Sequence, residues 1–167
     1  MSIIIVIISL FLDGILSNYL PYLVNNLSLF TPLCTLVAIF IIYPFFKKKE
    51  KKYLISVFII GIIYDLFYTN LLFFNAVLFF IIGLITIYFY KIYEMNFLRL
   101  LFYIILVIIC YEVLTASILL IFNMVPITFY KIIYKISHSL IINIIYGELL
   151  YFIIKIIPEK YKRISIN

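Results

Sequence analysis

Four carboxylates stand inside stretches that are otherwise apolar: Asp13, Asp65, Glu112 and Glu148. Two carboxylates facing each other can serve as general acid and general base, as in an aspartyl membrane protease or a lipoprotein signal peptidase. Those enzymes surround their acids with glycine- and asparagine-rich motifs, whereas Asp13 stands in "FLDGIL" and Asp65 in "IIYDLFYTN". The sequence context therefore argues against catalysis by paired carboxylates.

Other chemistries lack the residue types that they need. A lipid-head-group transferase needs a denser acidic cluster with an arginine, and a rhomboid-like hydrolase needs a Ser and a His in Gly-rich surroundings. The one histidine, His138, cannot form a metal site alone. Cys34 and Cys110 fall in apolar stretches, where thiols behave as small hydrophobes. We predict no enzymatic activity, no metal and no cofactor.

Composition indicates the elements that must position these residues. Hydrophobic residues make up 68% of the 167 and charged residues only 12%, which is typical of an integral membrane protein. Cutting the chain at its charges and prolines leaves six stretches of nearly the length, about 20 residues, that crosses a bilayer. They run approximately over 2–20, 27–46, 53–69, 71–90, 97–122 and 135–157. We predict an all-α integral membrane protein in which residues 1–167 form one polytopic domain.

The orientation in the membrane follows from the basic residues of the short loops. With the N-terminus in the cytoplasm, eleven Lys and Arg residues fall on the inner side and only Lys131 and Lys135 on the outer side. Both termini are therefore predicted to be cytoplasmic. The main basic loop comprises Lys47, Lys48, Lys49, Lys51 and Lys52. We expect this loop to face anionic lipid or cytoplasmic partners and predict no binding of nucleic acid.

The longest predicted extracytoplasmic connection reads "NMVPITFYKIIY". Tyr130 with Tyr134, and Lys131 with Lys135, recur at the i, i+4 spacing of a short helix that lies at the membrane interface. Two interpretations stay open for the segment from Pro126 to Lys135. Its Tyr and Lys residues either anchor the chain at the interface or dock a partner.

The third predicted helix carries Gly61, Asp65 and Thr69 at i, i+4 and i+8, so the three share one face. An aspartate at bilayer depth costs roughly 2.5 to 3.5 kcal/mol and needs compensation. Glycine allows a neighbouring backbone to approach, and the polar groups can form hydrogen bonds across the contact. Because no basic residue lies deep in any predicted span, we expect the buried acids to be protonated or to meet hydroxyls, amides and helix ends.

The stretch "GIIYDLFYTNLLFFNAVLFFIIGLI" resembles the signature of the rod-shape-determining MreD family. In that family a Gly-x-x-x-Asp opens a helix, a short polar turn follows, and a leucine-rich stretch with His or Asn and then Ala begins the next helix. Gly61, Asp65, Asn75 and Ala76 stand at the matching positions. The size, the six spans, a Thr-Pro pair at 31–32 and the basic ends also fit.

Two positions depart from the family pattern. MreD proteins commonly have glycines where this chain has Thr69 and Phe73. Both positions fall in the predicted outer turn, so the departure concerns the conformation of that turn. The pair of Gly61 and Asp65 is intact.

The resemblance implies a multi-pass protein of the bacterial cytoplasmic membrane that acts as a non-enzymatic scaffold. MreD proteins bind MreC, and through it connect MreB filaments with the synthases of lateral-wall peptidoglycan. Gly61, Asp65, Thr69 and Asn75 are then expected to hold the helix core or couple to partners. The segment from Pro126 to Lys135 is expected to contact MreC. Whether the chain is a monomer or a homodimer is left open.

A second function belongs to another class of protein. MreD proteins resemble in architecture the six-helix substrate-binding subunits of vitamin (ECF-type) transporters, in which buried Asp, Glu and Asn residues could hold a small ligand. Those subunits dock their coupling protein through an Ala-x-x-x-Ala type of surface on the first helix. Here the first helix has the bulky or charged stretches "IIISL" and "FLDGIL" instead.

Overall fold

The computed structural model describes residues 2–24, 31–46, 49–69, 71–92, 97–122 and 128–156, and within these ranges every regular element is helical. The all-α prediction is confirmed for this part of the chain. The helices are α1 (Ser2–Val24), α2 (Cys34–Ile42), which a 3-10 helix (Tyr43–Phe46) continues, α3 (Glu50–Tyr68), α4 (Phe74–Ile92), α5 (Phe97–Ile121) and α6 (Phe129–Ile156).

Three of the described helices, α4, α5 and α6, are long and apolar enough to cross a membrane. Shorter apolar helical stretches cover Ile3–Tyr19 and Cys34–Phe46. The first turn of α3 contains Glu50, Lys51 and Lys52, so its apolar part is shorter than the helix itself. These lengths and compositions fit a membrane protein.

The core of the fold lies around α2. Each residue from Cys34 to Ile42 is buried, as expected for a helix that is hydrophobic on all sides. α2 packs against α1 and α6, while α3 packs along α4 and α5 along α6. The chain therefore folds as three consecutive helix pairs, and α2 joins the first pair to the third.

Aromatic residues hold α2 against its neighbours. The Phe40 ring stacks on Tyr103 of α5, with ring centroids 3.4 Å apart. The Tyr103 hydroxyl forms a hydrogen bond with Thr86 of α4, and the Tyr53 hydroxyl of α3 donates to the Ile39 carbonyl at 3.2 Å. Buried tyrosines need such partners for their hydroxyl groups. These three contacts tie α2, α3, α4 and α5 together.

The predicted interfacial helix is wrong as a separate element. Tyr130, Lys131, Tyr134 and Lys135 lie in the first two turns of α6, which runs without interruption over 28 residues from Phe129. The i, i+4 pattern is the same in a short helix and in the start of a long one, and no proline stands between Phe129 and Ile156 to end the helix. Pro126 lies outside the described residues.

The predicted basic loop is partly helical. α3 begins at Glu50, so Lys51 and Lys52 form its first turn, Lys49 precedes it, and Lys47 and Lys48 lie outside the described residues. Glu50 is an acid in the first turn, where the helix dipole favours negative charge. It forms an ion pair of 3.1 Å with Lys91 in the last turn of α4. This pair joins the ends of α3 and α4.

Candidate functional site

Gly61 is the point where α3 and α4 meet backbone to backbone. A Cβ atom placed on Gly61 would lie 2.4 Å from the Ala76 Cα and 2.8 Å from the Ala76 backbone nitrogen. Non-bonded carbon atoms prefer separations of about 3.5–4.0 Å, so any larger residue would force the helices apart. Glycine thereby places the start of α4 beside the face of α3 that carries Asp65.

Asp65 caps α4 from the neighbouring helix. Its Oδ1 accepts a hydrogen bond from the Asn75 backbone N–H at 3.0 Å, and its Oδ2 accepts one from the Ala76 N–H at 3.2 Å. The first N–H groups of a helix have no partner within it, and a capping side chain normally satisfies the second and third. Asp65 does this while fully buried. The donors of α4 therefore compensate for burial of the acid.

Two side chains complete the shell around the Asp65 carboxylate. The Thr69 hydroxyl donates to Oδ1 at 2.9 Å and the Asn75 side-chain amide donates to the same oxygen at 2.8 Å. The structure thus brings Gly61, Asp65, Thr69 and Asn75 together at the α3–α4 contact. We name this set, with Ala76, the α4 cap.

The α4 cap extends to a third helix, α5, through a residue that the sequence did not single out. The Tyr111 hydroxyl on α5 donates to the Asn75 Oδ1 at 2.7 Å, and both residues are buried. Tyr111 is one of 16 tyrosines in the chain, and no motif distinguishes it. The signal nearest to it in the sequence is its neighbour Glu112, an acid within an apolar stretch. A chain of hydrogen bonds therefore runs from α3 through Asn75 to α5.

Phe73, directly before α4, has a φ of 67°. This left-handed conformation favours glycine, because a Cβ crowds the following carbonyl oxygen there. Phe73 is one of the two positions where the family resemblance led us to expect glycine. The turn thus adopts the conformation that glycine allows, although this chain carries a phenylalanine.

A second cap repeats this arrangement at the start of α2. The Asp13 Oδ1 accepts from the Cys34 N–H at 2.6 Å and its Oδ2 from the Thr35 N–H at 2.9 Å. The preceding N–H, that of Leu33, donates to the Asn143 Oδ1 of α6 at 2.8 Å. Three consecutive backbone donors are therefore satisfied by side chains of two other helices. We name Asp13, Asn143 and these three backbone donors the α2 cap.

α6 also holds the segment that enters α2. The Ser139 hydroxyl donates to the Thr31 carbonyl at 2.6 Å, and the Asn143 amide donates to the same oxygen at 3.1 Å. Ser139 and Asn143 are one turn apart and both buried. The Thr-Pro segment before α2 is thus fastened to α6, far along the chain.

Glu112 forms a third link, in the pair of α5 and α6. Its Oε2 lies 2.9 Å from the Lys135 Nζ, and only 3% of its side-chain surface is exposed. The expectation that the buried acids lack a basic partner is wrong for Glu112. The long stem of a lysine can lie along apolar surface while its ammonium group reaches a distant partner. In each of the three helix pairs, therefore, an acid on the first helix binds a group near the start of the second helix.

The remaining candidate residues lie apart from the caps. Glu148 is half-buried on α6, and the His138 Nδ1 lies 2.8 Å from the Tyr134 carbonyl of its own helix. Among the described residues, no group of three or more His, Cys, Asp and Glu side chains could hold a metal ion. Both cysteines are free thiols.

The predicted partner surfaces are partly open. Tyr130 and Lys131 are exposed at the start of α6, whereas Tyr134 and Lys135 are half-buried. The Tyr134 ring packs on His138, with ring centroids 4.0 Å apart. At the other end of the bundle, Lys51 and Lys52 are exposed. The structure therefore does not bring the two predicted surfaces together with the α4 cap.

The family model of rod shape-determining protein MreD matches residues 2–160, which include all six described helices and both caps. The chain belongs to the MreD family. This confirms the resemblance that the "GIIYDLFYTN" stretch suggested, and it indicates a role in rod shape determination. No curated protein and no solved structure matches the chain. Four residues of the α4 cap of this MreD protein, Gly61, Asp65, Asn75 and Ala76, are those that carry the family resemblance, and Thr69 joins them although it departs from the family pattern.

Proposed function

We propose that this MreD-family protein is a non-enzymatic scaffold of the bacterial elongation machinery. It binds MreC in the cytoplasmic membrane and through MreC links MreB filaments to lateral peptidoglycan synthesis. The observation that carries this proposal is the family match over residues 2–160. The geometry of the caps supports it, because the buried polar groups hold helices rather than form a reaction centre.

The hydrogen bonds of the two capping aspartates argue against acid–base catalysis. Both oxygens of Asp13 and both of Asp65 accept backbone N–H groups. A general acid or base must instead exchange its proton with a bound substrate. Carboxylates that are fastened to helix starts serve the framework of the bundle.

The same contacts weigh against the vitamin-binding alternative. Asp65, Asn75 and Asn143 satisfy one another or the backbone, so these polar groups are occupied without a ligand. A small-molecule pocket normally combines an apolar wall with a few convergent polar groups. A groove on the surface between α3 and α4 is lined only by apolar residues.

Six membrane crossings with cytoplasmic termini form part of the proposal. α4, α5 and α6 have the necessary length and composition, and α2 is short but enclosed by other helices. Single cysteines at Lys52 and Tyr130 test the orientation in a background without Cys34 and Cys110. An impermeant maleimide should label the Tyr130 position in intact cells and the Lys52 position only after permeabilisation; labelling of both from outside would refute the topology.

The binding surface for MreC is proposed at the start of α6. Tyr130 and Lys131 are exposed there, adjacent on the helix, at the end of the bundle opposite Lys51 and Lys52. Aromatic and basic side chains together can bury area and pair with charge on a partner. Within the described part of the predicted Pro126 to Lys135 segment, Phe129 and Ile133 are exposed beside these two residues.

The first test is purification of the tagged protein in mild detergent, with partners identified by mass spectrometry. We expect MreC and wall synthases, whereas a transporter ATPase pair with a coupling protein would favour the vitamin-transport alternative. Replacing Tyr130 and Lys131 by alanine should remove MreC at normal protein levels. The matched control, alanine at Lys51 and Lys52, should retain it.

The amount of folded protein distinguishes a structural role of Asp65 from a direct contact with a partner. Because the α4 cap is internal, Asp65→Leu should lower the amount of folded protein. Loss of MreC binding at normal protein levels would instead mark Asp65 as a direct partner contact.

A further inference from the structure

We infer that a groove between α3 and α4 binds an anionic phospholipid, with an acyl chain in the groove and the phosphate at Lys51 and Lys52. This inference rests on the proposed insertion of the bundle in a membrane, and not on the identity of its protein partners. The groove is lined by Leu54, Ile55, Phe58, Val77 and Phe80.

The size and lining of the groove suit a hydrocarbon chain. Its volume is about 340 Å³, more than twice that of a cavity of about 150 Å³ that accepts benzene. Every lining residue is apolar, and the rings of Phe58 and Phe80 meet edge to face with centroids 6.3 Å apart. Ile55 is 59% and Val77 49% exposed, so the groove is open to the surroundings of the protein.

Charge lies at one end of this groove. Lys51 and Lys52 precede Ile55 by four and three residues, so they lie on the same face of α3, one turn nearer its start. Both lysines are exposed. The adjacent acid, Glu50, is bound to Lys91 at 3.1 Å, which neutralises the negative charge nearest to them. Two ammonium groups are thus placed where the headgroup of a lipid in the groove would lie.

Comparison with a second groove favours a lipid over a protein helix. That groove lies between α1 and α3, is lined by apolar residues that include Leu10, Phe11 and Ile63, and has a volume of only about 120 Å³. α1 carries no Lys or Arg. An apolar helix of a partner could lie in either groove. An anionic lipid also needs basic residues at one end, and of these two grooves only the α3–α4 groove has them.

Native mass spectrometry tests the assignment. The full chain is reconstituted in nanodiscs of phosphatidylglycerol and phosphatidylcholine in equal amounts, extracted in mild detergent, and its bound lipid is measured. We expect one retained phosphatidylglycerol. The double variant K51Q/K52Q should lower the preference for phosphatidylglycerol by about fivefold for each lysine. Val77→Trp, which fills the groove, should remove the bound lipid of both classes.

Matched controls separate this groove from the rest of the surface. Ile63→Trp in the second groove and Lys131→Gln at the opposite end of the bundle should leave retention unchanged. If Val77→Trp does not unfold like the wild-type protein, Ile55→Trp replaces it at a more exposed position. Retention of lipid by the groove-filling variant, an unchanged preference in K51Q/K52Q, or a polypeptide in place of lipid on protein extracted directly from cells would each overturn the inference. Loss of MreC alone would not affect it.

Discussion

The Asp65 carboxylate on α3 caps the Ala76 N–H on α4 at 3.2 Å, across the contact where Gly61 lets the two helix backbones meet. Gly61 and Asp65 thus act together, because the close approach at Gly61 brings the unpaired N–H donors of α4 within reach of the Asp65 carboxylate. Burial of Asp65 is offset by these donors.

Replacing Gly61 with alanine should destabilise the bundle by about 1–3 kcal/mol, because the added methyl group overlaps the Ala76 backbone. Thermal unfolding in detergent, followed by circular dichroism, measures the effect. Gly83→Ala is the matched control, since a Cβ there first meets the end of the Leu54 side chain, at 3.2 Å. Equal melting temperatures for the two variants would contradict the backbone contact.

Phe73→Gly should be more stable than Phe73→Ala by about 1 kcal/mol. Both variants lack the phenyl ring, so the comparison isolates the left-handed backbone, whose φ is 67°. Their midpoints of thermal unfolding under identical conditions give the difference. An alanine variant as stable as the glycine variant would show that this conformation carries no strain.

Tyr111→Phe should lower stability by about 1–3 kcal/mol, because it leaves the buried Asn75 Oδ1 without this donor. Tyr88→Phe is the control, since Tyr88 is 69% exposed and loses only a surface hydroxyl. Thermal unfolding of both variants measures the difference. If the two variants unfold at the same temperature, the link from the α4 cap to α5 makes no net contribution.

Lys135→Gln should destabilise the protein by about 1–3 kcal/mol, because it leaves the Glu112 carboxylate buried without its cation. The double variant E112Q/K135Q should recover part of the loss, since neither side chain then carries a charge. Lys131→Gln, at an exposed position on the same helix, should change stability little. A double variant less stable than Lys135→Gln would contradict this account of the pair.

The predicted helix ends differ most from the observed ones where the sequence has no residue that marks the start of a helix. The start of α6 lies at Phe129 rather than Lys135, because an amphipathic i, i+4 pattern continues directly into the apolar stretch. Lys51 and Lys52 belong to α3, because lysine is compatible with a first helical turn as well as with a loop. In both places the charge pattern identified the end of a helix but not its first residue.

The sequence by itself determined the helical class, the membrane-like composition and the family, because apolarity, helical spacing and the Gly61 to Ala76 signature are local properties of the chain. It also marked Asp65 as a residue that needs compensation. Only the tertiary structure decided what compensates each acid and which other side chains complete the two caps. Asn143 reaches Leu33 across 110 residues, and Tyr111 reaches Asn75 across 36. Such partners depend on how the helices pack, and no spacing along the chain encodes that packing.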